Sequence, residues 1–182
     1  MSRGSGLFVA IVGPSGAGKD SLIRAAAARF ADDGNFFVVR RVVTRTSDAY
    51  EEHDTLDPAA FEAAAQAGKF ALTWGAHGLS YGVPIEVDEA MRTGKIVICN
   101  LSRRAVDAAR RRWPEVFAVL VTARPETLAA RLAARGRENA EDRRGRLERS
   151  LDFAADAVVD NDGALEAAAE QLLALIAARA RT

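Results

Sequence analysis

The stretch Gly13-Pro14-Ser15-Gly16-Ala17-Gly18-Lys19-Asp20-Ser21 decides how the chain is read. An apolar run, Leu7-Phe8-Val9-Ala10-Ile11-Val12, leads into it, and a segment rich in Ala, Leu and Ile follows. A buried strand, a glycine loop and a helix in that order make a phosphate-binding P-loop. Glycines let backbone N–H groups turn inward around an anion, and the helix aims its positive end at the same point. Lys19 adds a mobile point charge. The nine residues from Gly13 to Ser21 are therefore expected to hold a nucleotide's phosphates. The eighth position of the motif departs from it: Asp20 stands where a Ser or Thr normally offers its hydroxyl to Mg²⁺.

With 182 residues, the chain is long enough for one domain with a sizeable core. Its 25 basic and 25 acidic side chains balance, which argues against broad electrostatic binding to nucleic acid or to an anionic membrane. Lysine occurs only at Lys19, Lys69 and Lys95, so nearly all the positive charge is arginine, the side chain suited to gripping phosphate bidentately. One cysteine, Cys99, rules out an intrachain disulfide and reads as an inert buried thiol on a core strand. No apolar run approaches a membrane span, and the first residues carry no signal-peptide pattern, so a cytoplasmic location is expected.

Strands are predicted at 7–12, 36–44, about 68–74, 96–100, 117–121 and 157–159, with helical segments between most of them. Asp57-Pro58 reads as an N-cap followed by a first-turn proline, opening a helix to about Ala67. Ser102 caps the next long helix, and Arg124-Pro125-Glu126 opens another that ends near Arg135-Gly136. A charged helix to about Ala155 and an Ala/Leu helix from Gly163 to about Ala180 complete the pattern. Residues 75–82 read as a loop. Alternation of strands and helices predicts an α/β, three-layer P-loop kinase fold with a five-stranded parallel core sheet. Segments 45–82 and 135–146 are expected to form an acceptor flap and a lid over the site, in a single domain.

The order of motifs resembles the guanylate kinase-like P-loop kinases, and among them the ribose 1,5-bisphosphate phosphokinases. The resemblance rests on the P-loop, Val43-Thr44-Arg45, His77-Gly78-Leu79-Ser80-Tyr81-Gly82, Arg135-Gly136-Arg137 and Asn161-Asp162-Gly163. It implies that Arg45 and Tyr81 grip the acceptor phosphate, that Arg135, Arg137 and Arg146 close over the triphosphate beside Lys19, and that Asn161 reads adenine. It also implies acceptor-site roles for Glu51, His53 and His77, each of which also fits a solvated or packed loop residue.

Two departures from guanylate kinases stand out. Their base-reading glutamate falls two residues after the phenylalanine matched by Phe70, where this chain has Leu72. An apolar side chain leaves a guanine's N–H groups unpaired. Their aspartates at the end of the strand matching 96–100 are here Asn100 and Ser102. The carboxylate for Mg²⁺ is then expected to have moved to Asp20, with Asn100 and Ser102 assisting. The other reading of Asp20 is a helix cap.

The residues themselves point to a P-loop kinase whose acceptor is an already ionised phosphate, since no general base stands out. The resemblance implies ATP and Mg²⁺, ribose 1,5-bisphosphate as the phosphorylated sugar acceptor, 5-phosphoribosyl 1-diphosphate as product, and a monomer or homodimer. A nucleoside-monophosphate kinase and a non-catalytic guanylate kinase-like interaction module remain as alternatives.

Overall fold

Strand β1, Leu7–Val12, is buried at every position, and its side chains alternate between two cores. Phe8, Ala10 and Val12 enter one cluster with Val97, Cys99, Val106 and Trp113. Leu7, Val9 and Ile11 enter the other with Leu22, Val119, Leu172 and Ile176. A strand covered on both faces reads as a continuous apolar run, which is why this one was visible in the sequence. The computed structural model describes residues 5–45, 53–76, 78–134 and 154–181.

Among the described residues, β1 lies at the centre of a five-stranded sheet with β2 (Phe36–Val38), β7 (Ile96–Asn100), β8 (Val116–Thr122) and β9 (Ala157–Asp160). The order is β2-β7-β1-β8-β9, and every pairing is parallel. Helices α1 (Lys19–Arg29), α3 (Glu86–Arg92), α4 (Arg103–Arg112), α5 (Pro125–Ala134) and α6 (Leu165–Arg179) supply the connections. Phe8 stacks on Trp113 with centroids 4.4 Å apart, tying the core sheet to the end of α4. This is the predicted three-layer α/β arrangement. No described helix is long and apolar enough to cross a membrane.

Two sequence expectations are corrected. The run 36–44 is not one strand. After β2 the backbone pairs once more, Val39 N–H donating to the Ile98 carbonyl at 2.8 Å, and then leaves the core sheet at Arg40-Arg41. It resumes as β3 (Val42–Val43) in a second sheet, ordered β4-β3-β6-β5. Residues 75–76 and 79–82 are not a loop either. They belong to a hairpin of β5 (Phe70–Ala76) and β6 (Leu79–Pro84), antiparallel, with Trp74 opposite Tyr81. The two rings stack at 5.4 Å and 6°, a cross-strand aromatic pair of the kind that holds hairpins together. Strand β4 (Asp54–Thr55) runs parallel to β3 at the other edge. Helix α2 (Pro58–Gln66) covers this sheet through Phe61, stacked on Phe70 at 4.7 Å. Its N-cap is Asp57, whose Oδ1 accepts from Ala60 N–H at 2.8 Å, with Pro58 in the first turn.

Candidate active site

In a parallel sheet the strands' carboxyl ends open onto the crevice where ligands bind, and here β1, β2 and β7 deliver three segments to that edge. The first is the P-loop between β1 and α1. Gly16 and Gly18 both have φ +84°, a left-handed conformation that glycine adopts without penalty. At Gly18 there is a second constraint. A Cβ there would collide with the side-chain amide of Asn161. That amide donates to the Ala17 carbonyl at 2.8 Å. Arg131 of α5 closes the arrangement, donating to the Asn161 carbonyl at 2.9 Å and to the Gly16 carbonyl at 3.4 Å. The loop is thereby braced from behind by the chain just after β9. Asn161 is 3% exposed, with its amide oxygen buried and unbonded among the described residues.

Lys19 folds back over the loop, its ammonium donating to the carbonyls of Gly13 at 2.9 Å and Pro14 at 3.0 Å. Asp20 follows in the first turn of α1, where the helix dipole favours a carboxylate. The N-cap of that helix is Gly18, without a side-chain cap. Asp20 instead reaches across the crevice, and its Oδ1 accepts from the Asn100 amide at 2.7 Å. Asn100, the last residue of β7, is 8% exposed. The structure thus brings Asp20 and Asn100 together. Ser102 is the N-cap of α4, its hydroxyl accepting from Arg104 N–H at 3.4 Å.

Beside this pair lies a pocket of about 290 Å³ between α1 and the chain leaving β2, lined by Asp20, Arg24, Val39, Arg40, Arg41 and Asn100 among others. Arg40 is half exposed and paired with Asp54 at 2.5 Å. Arg41 is only 8% exposed and lies 5.7 Å from the centroid of the Tyr81 ring. Since Val43 pairs opposite Tyr81, Tyr81 and Trp74 stand on one patch of the second sheet with the Arg41 guanidinium over it. Leu72 is 9% exposed and belongs to the apolar cluster. His53 is 1% exposed; its Nδ1–H donates to the Asp54 carbonyl at 3.1 Å, and Nε2 is buried without a partner among the described residues. The Arg45 carbonyl accepts from the Thr55 hydroxyl at 3.1 Å, holding the strand end against β4. Glu51, His77, Arg135, Arg137 and Arg146 lie outside the described residues.

Burial pushes the Cys99 thiol up to about 12, against the lowering influence of the nearby Arg41 cation, so it stays a neutral packing group. Among the described residues no three His, Cys, Asp or Glu side chains cluster in a way that would hold a metal by themselves. Mg²⁺ does not require such a cage, because it commonly takes one or two carboxylates together with substrate phosphates and water.

Residues 9–152 match the AAA domain family. A ribose 1,5-bisphosphate phosphokinase of Methylobacterium radiotolerans is 46% identical over 169 residues, covering 93% of this chain and 96% of the relative. A second, from Brucella melitensis, is 46% identical over 173 residues, covering 92% and 90%. The chain belongs to the ribose 1,5-bisphosphate phosphokinase family. The crystal structure of a guanylate kinase from Anaplasma phagocytophilum matches the whole chain and 90% of that protein at a TM-score of 0.70, with 18% identity. That likeness places the family on the guanylate kinase fold. A P-loop kinase fold of this kind implies nucleotide binding.

Two features of the phosphokinase site were not singled out from sequence. One is Arg131, whose signal was a cation one helical turn before Arg135. The other is Arg41. Its signal was present in Val38-Val39-Arg40-Arg41-Val42-Val43, a pair of charges inside an apolar run. A charge at such a place marks where the chain leaves the core sheet, and here it also lines the pocket.

Proposed function

We propose that this protein transfers the γ-phosphoryl group of ATP to the 1-phosphate of ribose 1,5-bisphosphate, giving 5-phosphoribosyl 1-diphosphate and ADP. The observation that carries the reading is near-full-length likeness to proteins named for that activity. The pocket supports it independently. Its lining sets Arg24, Arg40 and Arg41 against the single carboxylate of Asp20, a balance suited to a phosphorylated acceptor. Separately, the expected base-reading position, Leu72, is buried among apolar neighbours and offers a base no carboxylate.

In the proposed reaction an ionised oxygen of the acceptor's 1-phosphate attacks the γ-phosphorus. The bond from that phosphorus to the β–γ bridging oxygen breaks, and ADP leaves with the electron pair. No proton needs removal, so alignment and positive charge supply the catalysis. The P-loop N–H groups and Lys19 hold the triphosphate. Lys19 exchanges the Gly13 and Pro14 carbonyls for phosphate oxygens, a stronger charge-assisted partner. Arg45 and Tyr81 orient the acceptor from the second sheet, which serves as the flap, while Arg135, Arg137 and Arg146 act from the lid. Asn161, for which the resemblance implies adenine recognition, steadies the phosphate loop through its bond to the Ala17 carbonyl.

The residues present fit Mg²⁺. Asp20 commits Oδ1 to Asn100, and its second carboxylate oxygen takes no bond among the described residues. Asp20 would hold the ion with Asn100 fixing the carboxylate's direction, and the bound cation would neutralise charge on the transferring group. Ser102, as a helix cap, falls outside this set.

The test is ADP release from ATP with Mg²⁺ and ribose 1,5-bisphosphate. Turnover dependent on both is expected, and no release above the ATP-only background overturns the reading.

A further inference from the structure

We infer that Arg41 receives the acceptor's second phosphate, the 5-phosphate that is not phosphorylated, and so selects a bisphosphorylated sugar. The inference rests on the phosphorylated-sugar reading above.

Three observations carry it. First, Arg41 is 8% exposed, and its guanidinium lies over the Tyr81 ring, 5.7 Å from the centroid. No carboxylate pairs with it among the described residues. Asp20, which lines the same pocket, bonds to Asn100, and Asp54 pairs with the neighbouring Arg40. Burying a guanidinium is costly unless an anion compensates it, and an aromatic face is a weak substitute for one. A buried arginine lining an open pocket is therefore a prepared anion site, with its fork suited to two phosphate oxygens.

Second, the place is right for a distal group. Arg41 follows β2, and β2 is separated from β1 by β7. Two strand spacings put it roughly 10 Å to the side of the strand that feeds the P-loop. The transferring phosphoryl group belongs over the P-loop, near Lys19 and Asp20. A cation that far across the same crevice is set to meet the far end of the acceptor.

Third, the site is held in position. The Tyr81 ring under the guanidinium is itself stacked on Trp74, and Tyr81 is paired in register with both Val43 and Trp74. Arg41 lines a pocket of about 290 Å³ together with Arg24 and Arg40, so a phosphate entering it meets further positive charge.

The test uses Arg41→Gln and Arg41→Lys, each checked for folding by thermal melting. Isothermal titration with ribose 5-phosphate, which carries only the distal phosphate, reads the site without turnover. Wild-type binding should weaken by about 10- to 100-fold in Arg41→Gln, the usual range for losing a charged hydrogen-bonded contact, and by less in Arg41→Lys. In steady-state assays the KM for ribose 1,5-bisphosphate should rise while that for ATP does not follow. The preference for the bisphosphate over ribose 1-phosphate should shrink by about the same factor. Equal binding of ribose 5-phosphate by wild type and Arg41→Gln overturns the inference. So does an equal loss on both acceptors, which would put Arg41 on the transferring phosphate. Failure of the wild type to turn over ribose 1,5-bisphosphate while still binding ribose 5-phosphate through Arg41 would instead overturn the proposed reaction.

Discussion

Replacing Asp20 with Asn separates a metal role from a structural one, because the structure predicts very different sizes for the two effects. Asp20 Oδ1 accepts from the Asn100 amide at 2.7 Å in a half-buried setting. An asparagine keeps a carbonyl oxygen there and can make the same bond in neutral form. The loss is the difference between a charged and a neutral hydrogen bond, about 1 kcal/mol, which lowers Tm by only about 2–4 °C in a chain of this size. The catalytic cost is larger. A unit charge about 4 Å from another near a protein surface is worth on the order of 4 kcal/mol, or about a thousandfold in rate. Asp20→Asn is therefore expected to melt almost like wild type, to lose about 10²–10³ in kcat, and to need more Mg²⁺ for half-maximal rate. The assays are a thermal melt and an Mg²⁺ titration of ADP release. Wild-type turnover with a wild-type Mg²⁺ profile would refute the reasoning, leaving Asp20 as a bracket between α1 and β7.

Gly18→Ala forces an L residue into the φ +84° conformation and pushes its Cβ into the Asn161 amide. Strain of about 1–2 kcal/mol and a disturbed buried hydrogen bond of about 1–3 kcal/mol should lower Tm by roughly 5–15 °C and weaken ATP binding, and an unchanged melt would contradict the bracing described for the loop. Asp88 accepts from Arg112 and, at 2.9 Å, from Trp113 Nε1. The Arg112 hydrogen bond holds the Asp88 carboxyl below its ordinary value of 3.8, with Trp113 helping and burial opposing. A depressed folded-state value means stability that is present above pH 3.8 and is lost as pH falls through the lower folded value. Asp88→Asn should thus be less stable at neutral pH, by about 1 kcal/mol or less for a pair this exposed, and the gap should close under acid. A gap that does not narrow at all as pH is lowered progressively below 3.8 would show that it does not come from the charge.

What the sequence revealed and what it hid follow from the range of the interactions concerned. β1 and the P-loop were legible because every element of the signal is local: a run buried on both faces, glycines where φ is positive, and a helix beginning at once. Asp57, Ser102 and the turn at Asn161 were legible for the same reason. The second sheet was not. Strands β3 and β4 are two residues each, too short for a period, and exist through pairings with distant chain. In the hairpin, Gly75, Gly78 and Gly82 suggested a loop. Yet Gly82 is a strand residue whose missing side chain makes room for the Phe70 ring, which a Cβ would approach to 2.7 Å. Arg41 was hidden because its burial is a tertiary fact: only the departure of the chain from the core sheet, and the ring of Tyr81 beneath it, give it a place. Leu72 reads the same way in both. Its apolar character was plain from the sequence, and the fold puts it in the core.

The most direct test of the account is a competition. Equal concentrations of ribose 1,5-bisphosphate and GMP are presented to the enzyme with limiting ATP and Mg²⁺, and the products are followed by ³¹P NMR. The account predicts the two coupled signals of a diphosphate on the pentose C1, with GMP left intact. Preferential appearance of GDP would contradict it, because a guanine would then be recognised although Leu72, at the base-reading position, offers its N–H groups no acceptor.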